Sequence, residues 1–455
     1  MTPFELRSSL ALASISGLRL LGMFVILPVF SLYAETLPGG ANHTLIGIAL
    51  GAYGLTQAVL QIPFGWASDR WGRKPAIYTG LLLFAAGSFL AAWAPDIYWV
   101  IAGRVLQGAG AISAAVIALA ADLTREEVRT KAMAIIGVTI GVTFALSMVA
   151  GPLLDRWIGV PGIFALTGVL ALAAMFMVRF GIADPPSLVA ATSVVRLPLS
   201  VVLGDRALLR LNAGVFVLHA LLMAVFVVVP FQLRGAGMRS IEQWMIYLPV
   251  MIGSFVLMVP MIAVAERRQK QKVVFLGSIL LLAGALGFLA WPGASVVLLT
   301  AGLLVFFVAF NYLEASLPSL VSRTVPAASK GTATGMYSSL QFLGTFLGAG
   351  AGGWLSEHLG HGAVFAFSGF LVIAWLGVAA GMSIPVMRTY AVPRMDTDRA
   401  AGLLQRLGKL PGVREARLIP SGEAAQLKVD TARFDEDNAL RLIHGENQQW
   451  LPSTK

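Results

Sequence analysis

The chain has 455 residues, of which 57% are hydrophobic and 12% are charged, and it contains no cysteine. Soluble domains carry about 25% charged residues, so this composition excludes an ordinary soluble domain and predicts a protein that lies in a lipid bilayer. The lack of cysteine excludes disulfides, thiolate metal sites and cysteine nucleophiles. The net charge of +10 lies mostly in alternate loops between apolar runs, which favours a membrane surface over nucleic acid as its partner.

Twelve apolar runs are each long enough to cross a bilayer as a helix. The first run is too long for the core of a signal peptide and lacks a small-residue cleavage site, so we expect it to remain as a transmembrane helix. The predicted helices cover residues 10–34, 44–67, 75–94, 97–122, 130–155, 160–181, 207–231, 242–265, 272–291, 294–320, 331–356 and 361–386.

Lysine and arginine are distributed unevenly between the two sides of the predicted bundle. One side carries only Arg156, Arg234 and Arg239, and the loops on the other side hold the remaining basic residues. The positive-inside rule makes the basic side cytoplasmic. An even number of crossings then places both termini in the cytoplasm.

The longest interior loop, at 182–206, contains three prolines and divides the predicted helices into two groups of six. Residues 1–181 and 207–388 are therefore predicted to form the two halves of an all-α membrane protein. From residue 392 to residue 455 charges become dense, and the pattern strand–helix–strand–strand–helix–strand predicts a small α+β domain of ferredoxin-like type. A unit of this size gains stability from a second copy, a ligand or the helical part.

A short charged turn separates the second and third apolar runs. A turn with this much charge stays in water only at the membrane surface. A degraded copy follows 197 residues later, where Glu266 takes the place of Asp69 and the glycines are lost. The two copies are therefore predicted to have different roles. The residues of the first copy are Gly65, Asp69, Arg70, Gly72, Arg73 and Lys74.

Three motifs together resemble the major facilitator superfamily. The charged turn matches that family's signature G-x-x-x-D-R-x-G-R-[KR], and residues 104–110 match its R-x-x-Q-G-x-G motif. Gly141, Gly151 and Pro152 resemble the glycine-rich motif of the drug:proton antiporter branch, although Leu154-Asp155 stands where a glycine pair usually follows. The resemblance covers nearly all of residues 1–386. It implies two six-helix halves that rock about a central site in a bacterial inner membrane.

The resemblance assigns the charged turn to a gate on the cytoplasmic side. Asp69 is expected to face the N-terminus of helix 11 near Gly331, where the helix dipole favours an anion. Arg70 or Arg73 is expected to pair with Asp122 at the end of helix 4. The alternative is a solvated loop that serves only to set the topology.

Ionisable residues inside four predicted helices are candidates for proton coupling, because a charged side chain there usually faces a cavity or a partner. Glu314 is the expected proton carrier, since a buried carboxyl binds a proton more readily than an exposed one. Arg104 and Gln107 share a helix face, and Arg104 is expected to tune a nearby carboxylate or proton path. Structural roles remain open as alternatives: backbone hydrogen bonds for Arg104, and a salt bridge near the gate for Glu314. For His219 the alternative is a polar contact between helices. For Arg19 the alternative is a side chain that extends to the membrane surface.

A second group of polar residues is predicted to line a substrate cavity, together with the phenylalanines at 226, 306, 307 and 310. Aromatic walls suit amphipathic or cationic ligands. Ordinary packing between helices is the alternative for each member. The polar group comprises Tyr53, Gln57, Asn212, Asn311 and Gln341.

The sequence contains no catalytic constellation and no phosphate-binding loop, so we predict neither an enzyme nor an ATP-driven pump, and we expect no cofactor or bound metal. The expected function is proton-coupled export of small molecules, with the substrate, protons and the lipid bilayer as partners. Two other functions remain open. One is uncoupled exchange or import of a metabolite, and the other is a membrane sensor that acts through the C-terminal domain.

Overall fold

A computed structural model describes residues 1–182, 204–268, 270–324, 330–382, 385–392, 397–418, 424–430 and 434–448. Most of the predicted linker at 182–206 therefore lies outside the described residues. The helices of the apolar part are α1 (Pro3–Phe24), α2 (Leu27–Ala34), α3 (His43–Trp71), α4 (Arg73–Ala92), α5 (Ile97–Ala109), α6 (Ser113–Asp122), α7 (Glu126–Gly181), α8 (Arg206–Gly235), α9 (Trp244–Arg267), α10 (Gln271–Leu289), α11 (Val296–Thr324), α12 (Lys330–Leu359) and α13 (His361–Ala380).

Ten segments of the described chain are long and apolar enough to cross a membrane. The longest, Lys131–Gly181, has 51 residues and spans about 76 Å at ~1.5 Å per residue, against a bilayer core of ~30 Å. Gly159 interrupts it with φ 65° and ψ 171°, which are not helical angles. The two runs predicted at 130–155 and 160–181 both fall in this segment, and the run at 331–356 falls in α12, which is not among the ten.

Two predicted helices are each broken in the structure. The first begins earlier than predicted, at Pro3, where Thr2 and Glu5 form a capping box, and it is interrupted between α1 and α2 just before Pro28. The span predicted over 97–122 is found with the same bounds, but it is not one continuous helix, because the chain leaves the helix at Gly110. A Cβ on Gly110 would lie 2.3 Å from the carbonyl oxygen of Gly80, so this break brings α5 and α4 into backbone contact.

The surface of the bundle is apolar, and its centre is α8. Large side chains such as Val138, Phe176, Val256 and Phe370 are more than 60% exposed on the outward faces of their helices. Water would penalise this surface, whereas lipid solvates it. Helix α8 is buried along nearly its whole length, so it is surrounded by other helices rather than by lipid.

The last apolar helix ends at Ala380, so the prediction of a helix over 361–386 was wrong at its C-terminal end. Pro385–Ala391 is instead a strand, β1, ahead of the predicted domain start at 392. It is followed by α14 (Thr397–Gly408), β2 (Val413–Leu418), β3 (Ala424–Asp430) and α15 (Glu436–Gln448). The three strands form an antiparallel sheet in the order β1-β3-β2.

This C-terminal unit has its own apolar core. Ala425, Leu427 and Val429 alternate along β3 and are fully buried, as the two-residue period of a strand requires. They pack in one cluster with Leu403 of α14 and Ile443 of α15. The closing strand predicted after α15 lies outside the described residues.

Candidate functional site

We call α1–α7 the first half and α8–α13 the second half. The end of the bundle that carries Gly65–Lys74 is the motif end, and the other is the opposite end.

An ion-pair cluster occupies the motif end of the first half. Arg73 Nε donates to Asp122 Oδ2 at 3.1 Å, and Arg73 Nη1 donates to Asp69 and, at 3.1 Å, to Ser68 Oγ. One arginine thus ties the end of α3 to the end of α6. Of the two arginines proposed as partners of Asp122, it is Arg73 that makes the pair.

The other residues of the charged turn shape its backbone or contact other groups. Gly72 has φ 101°, a left-handed conformation that favours glycine, and it allows α4 to begin one residue after α3 ends. Gly65 lies against α6, since a Cβ there would touch Ala114 at 3.5 Å. The Arg70 guanidinium lies 5.4 Å from the Trp66 ring, and Lys74 donates to the carbonyl of Ile182 at 2.7 Å.

The predicted contact of Asp69 with the start of α12 involves side chains at 330–332, which lie outside the described ones. Further into α12, a Cβ on Gly335 would meet nothing within 4 Å.

Polar contacts join the two halves at the opposite end. Arg234 of α8 donates to the two carboxylate oxygens of Glu35 at 2.5 and 3.2 Å, and this hydrogen-bonded arginine lowers the pKa of Glu35. The backbone N–H of His43 donates to Glu357 at 2.6 Å, and its ring stacks on Phe231 with centroids 4.9 Å apart. Further in, Ser31 Oγ donates to a backbone carbonyl of α8 at 3.1 Å. This end of the bundle is therefore sealed.

Next to this closed end, glycines form the contact between α3 and α12, which we call the seam. A Cβ on Gly47 of α3 would lie 2.2 Å from the carbonyl oxygen of Ala349 in α12, and Gly353 of α12 meets the His43 carbonyl in the same way at 2.4 Å. On its other side α12 packs equally closely on α8. A Cβ added to Gly344 or to Gly348 would lie 2.2 Å from a carbonyl oxygen of α8. Helix α12 is therefore held between α3 of the first half and α8 of the second.

His219, Glu314 and Gln341 meet in the second half, from α8, α11 and α12. Gln341 Nε2 lies 2.7 Å from His219 Nε2 and 3.5 Å from Glu314 Oε1, and His219 Nε2 lies 3.6 Å from Glu314 Oε2. The Nδ1 atom of His219 lies 3.1 Å from the Val215 carbonyl oxygen. His219 is buried, and the Glu314 side chain is 31% exposed although its Oε2 atom is buried without a hydrogen-bond partner among the described residues.

Arg19 and Arg104 lie in the first half, away from this triad. Arg104 is 1% exposed and donates to Gln107 at 2.9 Å, with its guanidinium 5.0 Å from the Tyr53 ring centroid. Arg19 is 4% exposed and donates to Gln57 at 3.1 Å. The described partners of Arg104 are neutral, so no carboxylate lies beside it here, and its role in tuning a carboxylate or a proton path stays a prediction. Of the four ionisable residues predicted for proton coupling, Arg19 and Arg104 thus lie apart from His219 and Glu314.

The phenylalanines on α11 pack on the first half through Phe144 of α7. Phe307 and Phe310 lie 5.9 and 5.7 Å from the Phe144 ring, and Phe310 also contacts the His219 ring at 6.0 Å. Phe310 precedes Glu314 by one turn of α11 in the direction of the opposite end. The aromatic cluster therefore fills the path between the triad and the sealed end.

The remaining predicted residues are packed. Asn311 donates to Ser254 of α9 at 2.9 Å, and Asn212 is 1% exposed with neither side-chain polar atom hydrogen-bonded to a described residue. Gly151 approaches the Val25 carbonyl oxygen at the break between α1 and α2, one residue before Pro152. A Cβ on Gly141 would meet nothing within 4 Å, so packing alone does not require glycine there.

A family model described as Major Facilitator Superfamily matches residues 12–349. The chain belongs to the major facilitator superfamily. The inner membrane transport protein YajR of Escherichia coli is 43% identical over 448 residues, which cover 97% of this chain and 98% of that protein. The multidrug resistance protein MdtH of Aeromonas hydrophila is 27% identical over 364 residues, covering 76% and 87%. The crystal structure of a D-xylose-proton symporter has the same fold, with a TM-score of 0.65 at 18% identity over 84% of this chain and 97% of that chain.

For this superfamily member, sequence reasoning missed Ser31, Ser88, Phe144 and Ser254. Ser88 accepts from Gln107 Nε2 at 2.7 Å and so fixes the amide that receives Arg104. Serines and phenylalanines are common in apolar helices, and only their spatial partners distinguish these ones. No sequence signal would have selected them.

Proposed function

We propose that this protein is a proton-coupled secondary transporter that exports small organic molecules by alternating access. The observation that carries the proposal is the triad of His219, Glu314 and Gln341, which brings an imidazole and a carboxyl group together on a side chain, Glu314, that is 31% exposed. Glu314 is the one acidic residue in the described apolar segments that lies well inside a helix rather than near its end. Such a residue in a membrane protein marks a proton or substrate path.

The geometry supplies a proton-dependent change of partner. A carbonyl oxygen only accepts, so Nδ1 of His219 carries a hydrogen, and in the neutral ring Nε2 accepts from Gln341. A second proton turns Nε2 into a donor, which cannot accept from the amide and pairs with Glu314 instead. Protonation therefore weakens the bond between α8 and α12 and strengthens the one between α8 and α11.

Helix α12 connects this change in the partner of His219 to the sealed opposite end of the bundle. Gln341 lies one turn before the glycines at 344, 348 and 352 that pack on α8, and the opposite face of α12 lies against α3. A shift of α12 relative to α8 therefore moves the contact between the halves. This is the coupling that alternating access requires.

The topology belongs to the same proposal. The transporter crosses the membrane twelve times, because Lys131–Gly181 turns at Gly159 and α12 also crosses. The motif end and both termini are cytoplasmic, and the C-terminal domain, which begins at Pro385, has a ferredoxin-like fold. In the alternate state Asp69 caps the start of α12 and latches the motif end. The halves are residues 1–181 and 207–384, with the predicted end at 388 moved back because β1 begins at Pro385, and the loop between the halves is a linker.

The relatives support this function without naming a substrate. YajR is described as an inner membrane transport protein and MdtH as a multidrug resistance protein. A proton-coupled exporter in a bacterial inner membrane agrees with both descriptions.

Proteoliposomes that contain a trapped pH-sensitive dye test the coupling. A panel of small molecules is first screened for ligands that raise the unfolding temperature of the purified protein. Each ligand found is then added outside the liposomes, and its own movement and the movement of protons are recorded. We expect wild type and Glu242→Gln, which alters a surface ion pair with Arg239, to move protons with the ligand. Glu314→Gln should exchange ligand for ligand but move no protons.

Each outcome separates the functions. Proton movement by Glu314→Gln at the wild-type rate would remove Glu314 from the coupling. Ligand movement without protons in wild type would favour uncoupled exchange. Transport that is unchanged after deletion of residues 385–455, together with the loss of a cellular response, would favour a sensor role for the C-terminal domain.

A further inference from the structure

The first half holds two buried cations that lack an ionic partner. Arg104 is 1% exposed and is hydrogen-bonded to Gln107 and, at 3.4 Å, to the carbonyl of Leu50. Arg19 is 4% exposed and is bonded to Gln57. Among the described residues, neither arginine lies within ion-pair distance of a carboxylate. Arginine stays protonated in proteins, so both remain cationic.

The carboxylates of the first half are all far from these arginines along the helices. Each is at or near the end of a helical stretch, and none lies in the middle of one. The interior of the first half therefore carries an uncompensated positive charge. The acidic residues in question are Glu5, Glu35, Asp69, Asp96, Asp122, Glu126, Glu127 and Asp155.

Buried hydrogen-bond donors without partners accompany these cations. Arg104 Nε, Gln57 Nε2 and Tyr53 Oη are buried and have no hydrogen-bond partner among the described residues. Donors left unpaired in this way cost free energy unless another molecule satisfies them. One acceptor, Gln61 Oε1, lies a turn further along α3 and is also unpaired. The group as a whole is rich in donors and suits an acceptor-rich anion.

The surface formed by Arg19 and Arg104, which we call the cationic wall, faces the second half. Both arginines reach the same stretch of α3, where Tyr53 and Gln57 are one turn apart, and Tyr53 contacts Phe342 of α12 at 6.4 Å. The residue before Phe342 is Gln341, which binds Glu314. The cationic wall and the acidic group of the second half thus both adjoin α12, through its neighbouring residues Phe342 and Gln341.

We propose that the substrate carries both an anionic and a cationic group. Its carboxylate or similar anion binds the Arg19–Arg104 wall, and its ammonium or similar cation binds Glu314, with an apolar body against the aromatic cluster. This inference rests on the proposed transport function and gives it a substrate class. A cation on Glu314 competes with a proton for the same carboxylate, which is the competition that exchange of substrate for protons requires.

A matched series of probes tests the two charges separately. The zwitterion is 4-(aminomethyl)benzoate, and its primary amide keeps only the cation. Its N-acetyl derivative keeps only the anion, and the doubly blocked compound keeps neither. Binding to the full-length protein is measured by the shift in unfolding temperature as a function of probe concentration. We expect the zwitterion to bind about tenfold more tightly than either singly blocked form, as a charge-assisted hydrogen bond implies.

Variants assign the anion site. Arg104→Gln should reduce the affinity for the zwitterion about tenfold, to that of the amide, and leave the affinity for the amide unchanged. Arg104→Lys keeps the charge but not the forked geometry, so it should lie between wild type and Arg104→Gln. Arg179→Gln alters an exposed arginine on α7 and should bind all four probes as wild type does.

Two results would overturn the inference. One is a zwitterion that binds no more tightly than the amide, which includes the case in which none of the probes binds. The other is an Arg104→Gln protein that loses affinity for the zwitterion and the amide equally. Measuring the transport of each probe against protons distinguishes a failure of this inference from a failure of the proposed function. If the amide moves against protons without a preference for the zwitterion, transport stands and the substrate class falls. If the zwitterion binds as expected but no probe moves against protons, the binding site stands and the transport function falls.

Discussion

A methyl group added at Gly47 should open the sealed end of the bundle. The Cβ of Gly47→Ala would lie 2.2 Å from the Ala349 carbonyl oxygen, whereas ordinary contacts begin at 3.4 Å. The obstacle is backbone, which cannot rotate away, so α3 and α12 must separate by about 1 Å. Overpacking of this kind costs ~1–3 kcal/mol. A cost borne only by the closed state shifts the equilibrium toward the open state about 5- to 150-fold.

The reporter for this shift is Ser31→Cys. The chain has no cysteine of its own, so the new thiol is the only one, and Ser31 is fully buried at the contact between α2 and α8. Its rate of reaction with a maleimide in detergent follows the population of the open state when opening is fast relative to labelling. We expect Gly47→Ala to accelerate labelling about 5- to 150-fold.

The control is Gly350→Ala on α12. It makes the same change of residue within a helix, with the same gain of ~1 kcal/mol in helix propensity, but its Cβ would meet nothing within 4 Å. Labelling in this background should match that of Ser31→Cys alone. If the two alanine variants label at the same rate, close packing at Gly47 does not hold the closed state and the reasoning about the seam is wrong.

Three further predictions use the same logic. Because Arg234 lowers the pKa of Glu35 in the closed state, their pair contributes fully above the ordinary carboxyl pKa of about 4.5 and is lost as pH falls through the lowered value. The labelling rate of Ser31→Cys, divided by that of a free thiol at the same pH because only the thiolate reacts, should therefore rise on acidification, and a Glu35→Gln background should remove this rise. Arg73→Gln leaves two carboxylates without their shared partner and should lower the free energy of unfolding by about 1–3 kcal/mol, measured by thermal denaturation; an equal loss in Arg70→Gln would contradict this. Leu427→Asp buries a charge in the C-terminal core, so limited proteolysis of the full chain should cut within residues 385–448. The control is Gln426→Asp, on the less buried side of β3. Similar cutting of this control would show that burial of the charge is not the cause.

The sequence was most informative where chemistry is local. The motif predicted a tight glycine turn and a pair of Arg70 or Arg73 with Asp122, and the structure shows Gly72 with φ 101° and the Arg73–Asp122 pair. The additional pair of Arg73 with Asp69, four residues earlier, was not predicted. The C-terminal sheet was also predicted, since Ala425, Leu427 and Val429 alternate with polar residues along one strand. Its first strand was predicted to follow residue 392 but lies at Pro385–Ala391, because Pro385 and Val386 continue the apolar run of the last helix and an apolar run alone does not distinguish a helix from a strand.

Long-range partners were not predictable from residue type. Asn311 and Gln341 were both polar residues in apolar helices, and no local feature of the sequence indicated that Asn311 binds Ser254 whereas Gln341 contacts His219 and Glu314. Arg104 was expected near a carboxylate because a buried charge needs a partner, yet it is met by a glutamine, a carbonyl and an aromatic ring. Neutral groups can share that task, so a buried charge in a sequence predicts a partner without giving its identity.

Helix α12 connects these levels, and its composition explains why, among the long helices that the structure describes, it is the one absent from the ten most apolar segments. A helix that faces lipid gains from large apolar side chains, whereas one packed between two helices needs small residues so that the backbones can approach. Gly344, Gly348 and Gly353 meet that need, and Gln341 adds a polar group for the triad. The same small and polar residues that lower its hydropathy therefore make α12 the element that contacts both His219 and the seam between the halves.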